Sequence, residues 1–147
     1  MASENLVSYT LMKELRGKGW RILHYHPPGG QAAWGLYVSG DLIFLDILAY
    51  RDGEVVLAEN KGRFNQGDVD KLERIIADEL AINQVREFIR NQCVAHRVTW
   101  DKNLRFYLVH GYSGRTIRTP LVNVNLAHVS DDEVLTLTSS QINPLVI

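Results

Sequence analysis

The sequence is poor in cysteine and has no long apolar segment. Cys93 is the single cysteine among 147 residues, so no disulfide can form within the chain, as is usual in reducing compartments. No apolar run approaches the ~20 residues that a membrane-spanning helix needs. The N-terminal stretch lacks the basic and apolar segments of a signal peptide. We therefore expect a soluble cytoplasmic protein with no membrane partner.

An excess of charge of one sign is also absent, because the net charge is −1. The charges are nevertheless uneven along the chain. Residues 86–118 hold seven Lys or Arg and two acids, whereas residues 119–147 hold neither Lys nor Arg. Such a basic segment can bind phosphates, and it can equally form an ordinary solvated surface. Composition alone leaves both interpretations open.

Length and hydrophobicity predict one compact domain over residues 1–147, because 46% of the residues are hydrophobic and can form a sizeable core. Helical and extended patterns then alternate along the chain. The predicted elements are a helix at 4–18, a strand at 20–26, a glycine-rich irregular segment at 29–40, strands at 42–50 and 54–61, a helix at 68–92, and strands at 104–110 and 121–129.

End signals and apolar spacing support the two helices. Ser3 is a suitable N-cap for the first helix, and Asp68 for the second, which we expect to break near Asn83. The apolar residues predicted to face the core are Val7, Leu11 and Leu15 in the first helix, and Val69, Leu72, Ile76 and Leu80 in the second.

The order of these elements predicts the fold class. A helix that connects strand 54–61 to strand 104–110 forms a crossover, so these two strands should run parallel. The hairpin before the helix is antiparallel. We therefore expect an α/β fold with a mixed central β-sheet flanked by helices, and with extra strands at the C-terminal end.

The hairpin brings two carboxylates together. If Asp52-Gly53 is a two-residue turn, Arg51 pairs with Glu54, and continuing this register places Asp46 opposite Glu59. Their Cβ atoms would be ~5 Å apart on one face of the sheet. Alternation puts Lys61 on the same face.

Opposed like charges destabilise a sheet unless a cation lies between them. Two carboxylates, a backbone carbonyl from Asn60 and several waters suit Mg²⁺. Lys61 would be close enough to orient an attacking water or to stabilise charge on a phosphate. The pattern thus indicates metal-assisted hydrolysis of a phosphodiester. The alternative is that Glu59 and Lys61 form a surface ion pair of little energetic weight.

Glu4 is a third acidic candidate. It lies about 20° from Leu11 around the first helix, within the apolar stripe, where a carboxylate needs a partner such as a metal. A frayed helix end, with the carboxylate in water and favourable to the helix dipole, explains it equally well.

The stretch "LDILAYRDGEVVLAENKGRF" resembles the PD-(D/E)XK nuclease superfamily, and within it the archaeal Holliday-junction resolvases and related phage and restriction endonucleases. The element order resembles the αβββαβ restriction-endonuclease-like core of that superfamily. The resemblance implies that Asp46 and Glu59 bind Mg²⁺ or Mn²⁺, that Lys61 is the catalytic lysine, and that Glu4 completes the metal site.

A DNA endonuclease also needs residues that hold the nucleic-acid backbone. Arg63 follows Lys61 directly, and His26 ends the strand before the glycine-rich segment. Lys102 and Arg105 lie in a segment that interleaves basic and aromatic residues, as in some single-strand binding surfaces. We expect these residues to contact DNA, and a homodimer to supply the two sites needed to cut both strands.

A second function class is compatible with the same sequence. A catalytically inactive nuclease fold could bind nucleic acid or a protein partner without hydrolysis. The mild net charge and the apolar C-terminal stretch "QINPLVI" suit such a module.

Overall fold

The computed structural model describes residues 1–27, 29–30 and 34–147. Within these residues, six strands form one sheet and two form a separate hairpin, with three helices packed around them. The elements in chain order are α1 (Glu4–Gly17), β1 (Arg21–Tyr25), β2 (Leu36–Val38), β3 (Asp41–Ile43), β4 (Ile47–Arg51), β5 (Glu54–Asn60), α2 (Gln66–Ala77), α3 (Glu79–Ala95), β6 (Arg105–Tyr112), β7 (Val124–Val129) and β8 (Leu135–Thr138).

The large sheet is mixed, in the order β1-β4-β5-β6-β7-β8. Strand β4 is antiparallel to both β1 and β5, whereas β5, β6 and β7 run parallel and β8 returns antiparallel. Helices α2 and α3 form the crossover from β5 to β6. The predicted fold class, with a mixed sheet, flanking helices and extra C-terminal strands, is confirmed, and α1, β1, β4, β5, the crossover helices and β6 follow the αβββαβ order.

Helices cover both faces of the sheet, and β5 is buried between them. Val55 and Leu57 face the core formed with α2 and α3. Val56 and Ala58 face the opposite core, which contains Leu11 and other residues of α1. This alternation explains why β5 reads as a continuous apolar run, as is usual for central strands covered on both faces.

The predicted hairpin turn and its register are confirmed. Asp52 and Gly53 both have positive φ, of 46° and 83°, which is the signature of a type I′ turn. Arg51 pairs with Glu54, and the ladder continues to the pair Ile47 and Ala58. This turn matches the right-handed twist of the strands it joins, so it holds the two strands in one register.

The prediction of one long strand at 42–50 is wrong, because the extended segment is divided. Strand β3 ends at Ile43 and β4 begins at Ile47. Strand β3 pairs with β2, which lies inside the segment predicted to be irregular. Ser39 and Gly40 have positive φ and form the turn between them. The rest of that glycine-rich segment lies partly outside the described residues.

The second helical segment breaks earlier than predicted. Helix α2 ends at Ala77 and α3 begins at Glu79, because Asp78 is extended and its side chain accepts a hydrogen bond from the Ala81 N–H. The break leaves Leu80 exposed instead of in the core. At the other end, Asn65 and not Asp68 is the N-cap of α2.

The first helix agrees with the prediction. Ser3 caps α1, its hydroxyl accepting from the Leu6 N–H, and Val7, Leu11 and Leu15 are fully buried. None of the helices in the described residues is long and apolar enough to cross a membrane.

Candidate active site

The two predicted carboxylates meet at one end of the sheet. Glu59 is the next-to-last residue of β5, and Asp46 directly precedes β4. Since these strands are antiparallel and Ile47 pairs with Ala58, one further step of the register sets Asp46 against Glu59. The Asp46 Oδ2 atom accepts a 2.7 Å hydrogen bond from the Asn60 N–H, which fixes its side chain beside the end of β5.

Glu59 is buried, with 2% of its surface exposed, and its carboxyl lies within hydrogen-bonding reach of the Asp46 carboxyl. Burial, followed by the nearby Asp46 carboxylate and the hydrogen bond to it, raises the pKa of Glu59 to about 9, although Lys71 acts in the opposite direction. Because ionised carboxylates only accept hydrogen bonds, this contact is favourable only when a proton or another cation lies between the two groups.

Lys71, on α2, brings a positive charge to Glu59, and the sequence analysis did not predict it. Its ammonium contacts Glu59 Oε1 and donates a 2.7 Å hydrogen bond to the Phe44 carbonyl. Apart from this ionic partner, Glu59 Oε1 has no well-aligned hydrogen-bond donor in the described residues. No local sequence signal pointed to it, because its contact with Glu59 depends on how α2 packs on the sheet.

Lys61 is held by a different pair of acids. Its Nζ lies 3.5 Å from Glu4 Oε1 and 3.9 Å from Asp68 Oδ2, and 43% of its side-chain surface is exposed. Burial is the largest single influence on the pKa of Lys61 and lowers it. The carboxylates of Asp68, Glu4 and Asp46 together outweigh burial, so the pKa of this ammonium lies above its ordinary value. Lys61 is therefore protonated at neutral pH.

Glu4 reaches the site through Lys61. It lies in the first turn of α1, and the ion pair with Lys61 connects that helix to the end of β5. The predicted helix residue is thus brought to the same end of the sheet as Asp46 and Glu59. Its role as a metal ligand stays a prediction.

Asp68 is a further acidic residue that the sequence indicated only as a cap. It is 7% exposed, and its Oδ2 has no hydrogen-bond donor among the described residues, although Lys61 and His110 lie about 4 Å away. Burial raises the pKa of Asp68, while the charge of the Lys61 ammonium acts against that rise. Asp68 therefore contributes a second buried carboxyl to this end of the sheet.

His110, on β6, is fully buried beneath the site. Its Nδ1 donates a 2.9 Å hydrogen bond to the Glu59 carbonyl, and its Nε2 accepts one of 3.0 Å from the Asn65 N–H. These two partners require the neutral tautomer with the proton on Nδ1. Burial lowers the pKa of His110, consistent with that form. The imidazole connects the end of β5 to the N-terminus of α2, which carries Asp68 and Lys71.

Asn60 points its side chain to the opposite face, as the alternation predicts. Its amide Nδ2 donates to the Ser8 hydroxyl at 3.0 Å, and the whole residue is buried against α1. Gly111 is its partner on β6. The side chain thus anchors the strand end, and the predicted use of the Asn60 carbonyl as a ligand stays a prediction.

Of the four predicted DNA contacts, the structure brings two to this end of the sheet. Arg63 is exposed in the loop that follows β5. The His26 N–H donates to the Asp46 carbonyl at 2.8 Å, while its ring bonds to the Gly30 carbonyl. Lys102 and Arg105 lie elsewhere, because Arg105 pairs with Glu54 at the start of β5. That position is five residues, or roughly 17 Å, from Glu59.

Two arginines of the basic segment 86–118, which we also expected to hold the nucleic-acid backbone, lie closer than Lys102 and Arg105. Strand β6 ends at Tyr112, beside the end of β5, and the loop that follows carries exposed Arg115 and Arg118. This loop lines a surface pocket of about 620 Å³. Strands β5 and β6 were predicted to be parallel. Residues after β6 therefore lie at the same end of the sheet as Glu59, and residues before β6 lie at the other end.

The donor set fits a hard divalent ion only in part. No group of three or more His, Cys, Asp or Glu side chains in the described residues is arranged to hold a metal by itself. Asp46 and Glu59 supply two converging carboxylates, and Mg²⁺ commonly binds one or two carboxylates together with waters and substrate phosphates. The two carboxylates are therefore suitable ligands, with Lys71 supplying positive charge at Glu59 in the structure described here.

Comparison with known proteins adds a distant likeness. No protein-family model and no curated protein matches the chain. Among solved structures, the crystal structure of an XisH family protein from Nostoc punctiforme PCC 73102 is similar to this chain, with 16% sequence identity and a TM-score of 0.40. The alignment covers 89% of this chain and 96% of that one. The function must therefore be argued from the geometry of the site.

Proposed function

We propose that this protein is an endonuclease that hydrolyses DNA phosphodiester bonds with Mg²⁺ or Mn²⁺ held by Asp46 and Glu59. The observation that carries the proposal is the meeting of these carboxylates at the ends of neighbouring strands, with Glu59 buried and its pKa raised to about 9. A buried carboxyl beside a second carboxylate costs free energy, and such costs are commonly found at functional sites. A divalent cation would remove that cost.

The metal would polarise the phosphate and neutralise charge that develops on its oxygens. The Asn60 carbonyl is a candidate additional ligand at the strand end. Glu4 is a further candidate ligand. It would have to give up its ion pair with Lys61 in order to bind the metal.

Lys61 acts in this proposal as a cation and hydrogen-bond donor. Glu4 and Asp68 lie 3.5 Å and 3.9 Å from its Nζ, and the surrounding carboxylates keep it protonated. A protonated amine cannot abstract a proton from water, but it can orient the attacking water and stabilise a phosphate oxygen. Asp68 and Glu4 are positioning residues because they hold this ammonium at the strand end.

The DNA backbone would lie across the same end of the sheet. Arg63 and the loop with Arg115 and Arg118 place three exposed guanidinium groups on elements that leave the ends of β5 and β6. Contacts of this type are largely independent of sequence and weaken as salt rises. A homodimer would provide a second site for the other strand of a duplex.

The second candidate is a catalytically inactive module that binds nucleic acid. The contact between Lys71 and Glu59 favours it, because an ammonium already compensates the carboxylate that a metal would need. The same basic groups would then serve binding alone.

Plasmid nicking with Mg²⁺ or Mn²⁺ separates these functions. We expect the wild type to nick supercoiled or branched DNA, and Asp46→Asn, Glu59→Gln and Lys61→Ala to lose activity by about 100-fold or more. Glu73→Gln is the matched control, because Glu73 is an exposed acid on α2 away from Glu59. A wild type that retards DNA on a gel but nicks nothing with either metal establishes the inactive module.

A further inference from the structure

A second polar site lies at the other end of the large sheet. Arg21 begins β1 and pairs with Tyr50, close to the turn of the β4–β5 hairpin and far from Asp46. A concave pocket of about 360 Å³ opens here between the ends of α1 and α3. Its lining residues are Arg16, Trp20, Arg21, Ile22, Leu23, Gln92 and His96.

The lining includes hydrogen-bond donors and no acid. Arg16 and Arg21 are exposed and have no ion-pair partner in the described part of the chain, and His96 adds a third group that can carry positive charge. By contrast, the neighbouring Arg51 is paired with Glu54 and lies over the Trp20 ring, 4.3 Å from its centroid. The positive charge of the pocket is therefore not neutralised by the protein.

Several carbonyls at the two helix ends that border the pocket have partners within the protein. At the end of α1, the backbone N–H groups of Lys18 and Trp20 donate to the Leu15 carbonyl. The Arg51 guanidinium donates to the Lys18 carbonyl. At the end of α3, the His96 N–H donates to the Gln92 carbonyl.

Trp20 provides an independent observation. It is 3% exposed and lines the pocket, yet its indole N–H has no hydrogen-bond acceptor among the described residues. Buried donors are nearly always paired, so this indole N–H is an unsatisfied donor in a residue that lines the pocket.

We propose that this pocket binds the phosphate group of a phosphate monoester, of which a mononucleotide is a simple example. The two guanidinium groups match the oxygens of a phosphate in a bidentate manner. The phosphate comes either from a free nucleotide or from the 5′ end of a nucleic-acid strand.

The test records NMR spectra of ¹⁵N-labelled protein. EDTA is present to remove divalent metal, so that the outcome does not depend on hydrolysis at Asp46 and Glu59. The chain has three tryptophans, and Trp20→Phe identifies the Trp20 indole signal. We expect adenosine 5′-monophosphate to shift that signal, and adenosine to shift it far less. The double variant Arg16→Gln/Arg21→Gln should weaken binding by about 10-fold or more. Arg90→Gln, an exposed arginine of α3 outside the pocket, is the control and should leave the affinity unchanged.

Short oligonucleotides with and without a 5′-phosphate distinguish the two sources. Binding of the phosphorylated strand alone supports a strand end, and binding of the free nucleotide alone supports a small ligand. The proposal is overturned if neither phosphate shifts the Trp20 signal, or if Arg90→Gln weakens binding as much as the double variant does.

Discussion

The Lys71 ammonium contacts Glu59 Oε1, joining helix α2 to the buried end of β5. This contact places a fixed positive charge at the carboxylate that we propose as a metal ligand. The ammonium and a divalent ion would therefore compete for the same oxygen, and the strength of metal binding depends on how readily Lys71 withdraws.

Replacing Lys71 by methionine should tighten Mn²⁺ binding. The change removes one positive charge but keeps an unbranched side chain, so repulsion between ammonium and metal disappears. A gain of roughly 1.4 kcal/mol corresponds to tenfold higher affinity, measured by calorimetry. Arg74→Met is the matched control, because Arg74 is on the same helix and pairs with the exposed Asp41. Weaker binding in Lys71→Met would mean that the ammonium positions Glu59 for the metal.

In metal-free protein, Glu59 should make stability fall as pH rises. Burial raises the pKa of Glu59 from the ordinary 4.5 to about 9, so the folded state holds the proton more tightly than the unfolded state. The resulting stabilisation is complete below about pH 4.5 and is lost as pH approaches 9.

Urea denaturation at several pH values in EDTA measures this effect. Between pH 5 and 9, we expect the free energy of unfolding of the wild type to fall by at least ~1.4 kcal/mol relative to Glu59→Gln, which does not titrate. The exposed control Glu73→Gln should keep the wild-type pH dependence. Parallel curves for wild type and Glu59→Gln would contradict the raised pKa.

The paired carboxylates could be predicted because their position depends on a local signal. Asp52 and Gly53 favour one turn type, and that turn sets the register of the two strands it joins. Asp46 and Glu59 then follow by counting. No comparable local rule existed for Lys71, because its contact depends on how α2 docks on the sheet.

Two predictions rested on weaker or incomplete signals. Asp68 was taken as the cap of α2, but Asn65 also fits the cap position, and the three-residue difference moves Asp68 inside the first turn beside Lys61. Lys102 and Arg105 were chosen from charge and aromatic content, which carry no information on strand direction. Parallel pairing of β6 with β5 places them at the far end.

His110 should stabilise the fold mainly at neutral pH and above. Burial lowers its pKa below the ordinary 6.5, so the unfolded state binds a proton more readily as the pH falls. Its contribution is present above about pH 6.5 and declines below that value. Removal of the ring also leaves the Glu59 carbonyl and the Asn65 N–H without their partner.

We therefore expect His110→Ala to lower the free energy of unfolding by ~2–3 kcal/mol at pH 7 and by less at pH 5.5. Chemical denaturation at both pH values measures the difference. His96→Ala, at an exposed position, should change stability by less than ~0.5 kcal/mol. A penalty that grows on acidification would show that His110 is charged in the folded protein.

Gly111 is the position where one methyl group should disturb the site without altering a charge. A Cβ atom there would overlap Asn60 Oδ1 and lie 3.0 Å from Val7 Cγ1, in a region where Asn60 is fully buried. Relief requires the strand end next to Glu59 to move, so Gly111→Ala should cost ~2 kcal/mol or more in urea denaturation and weaken Mn²⁺ binding. Gly17→Ala, at the end of α1 with no atom within 4 Å of the added Cβ, should be neutral or slightly stabilising. Equal stability of the two variants would mean that the Asn60 side chain can leave its bond to Ser8 without cost.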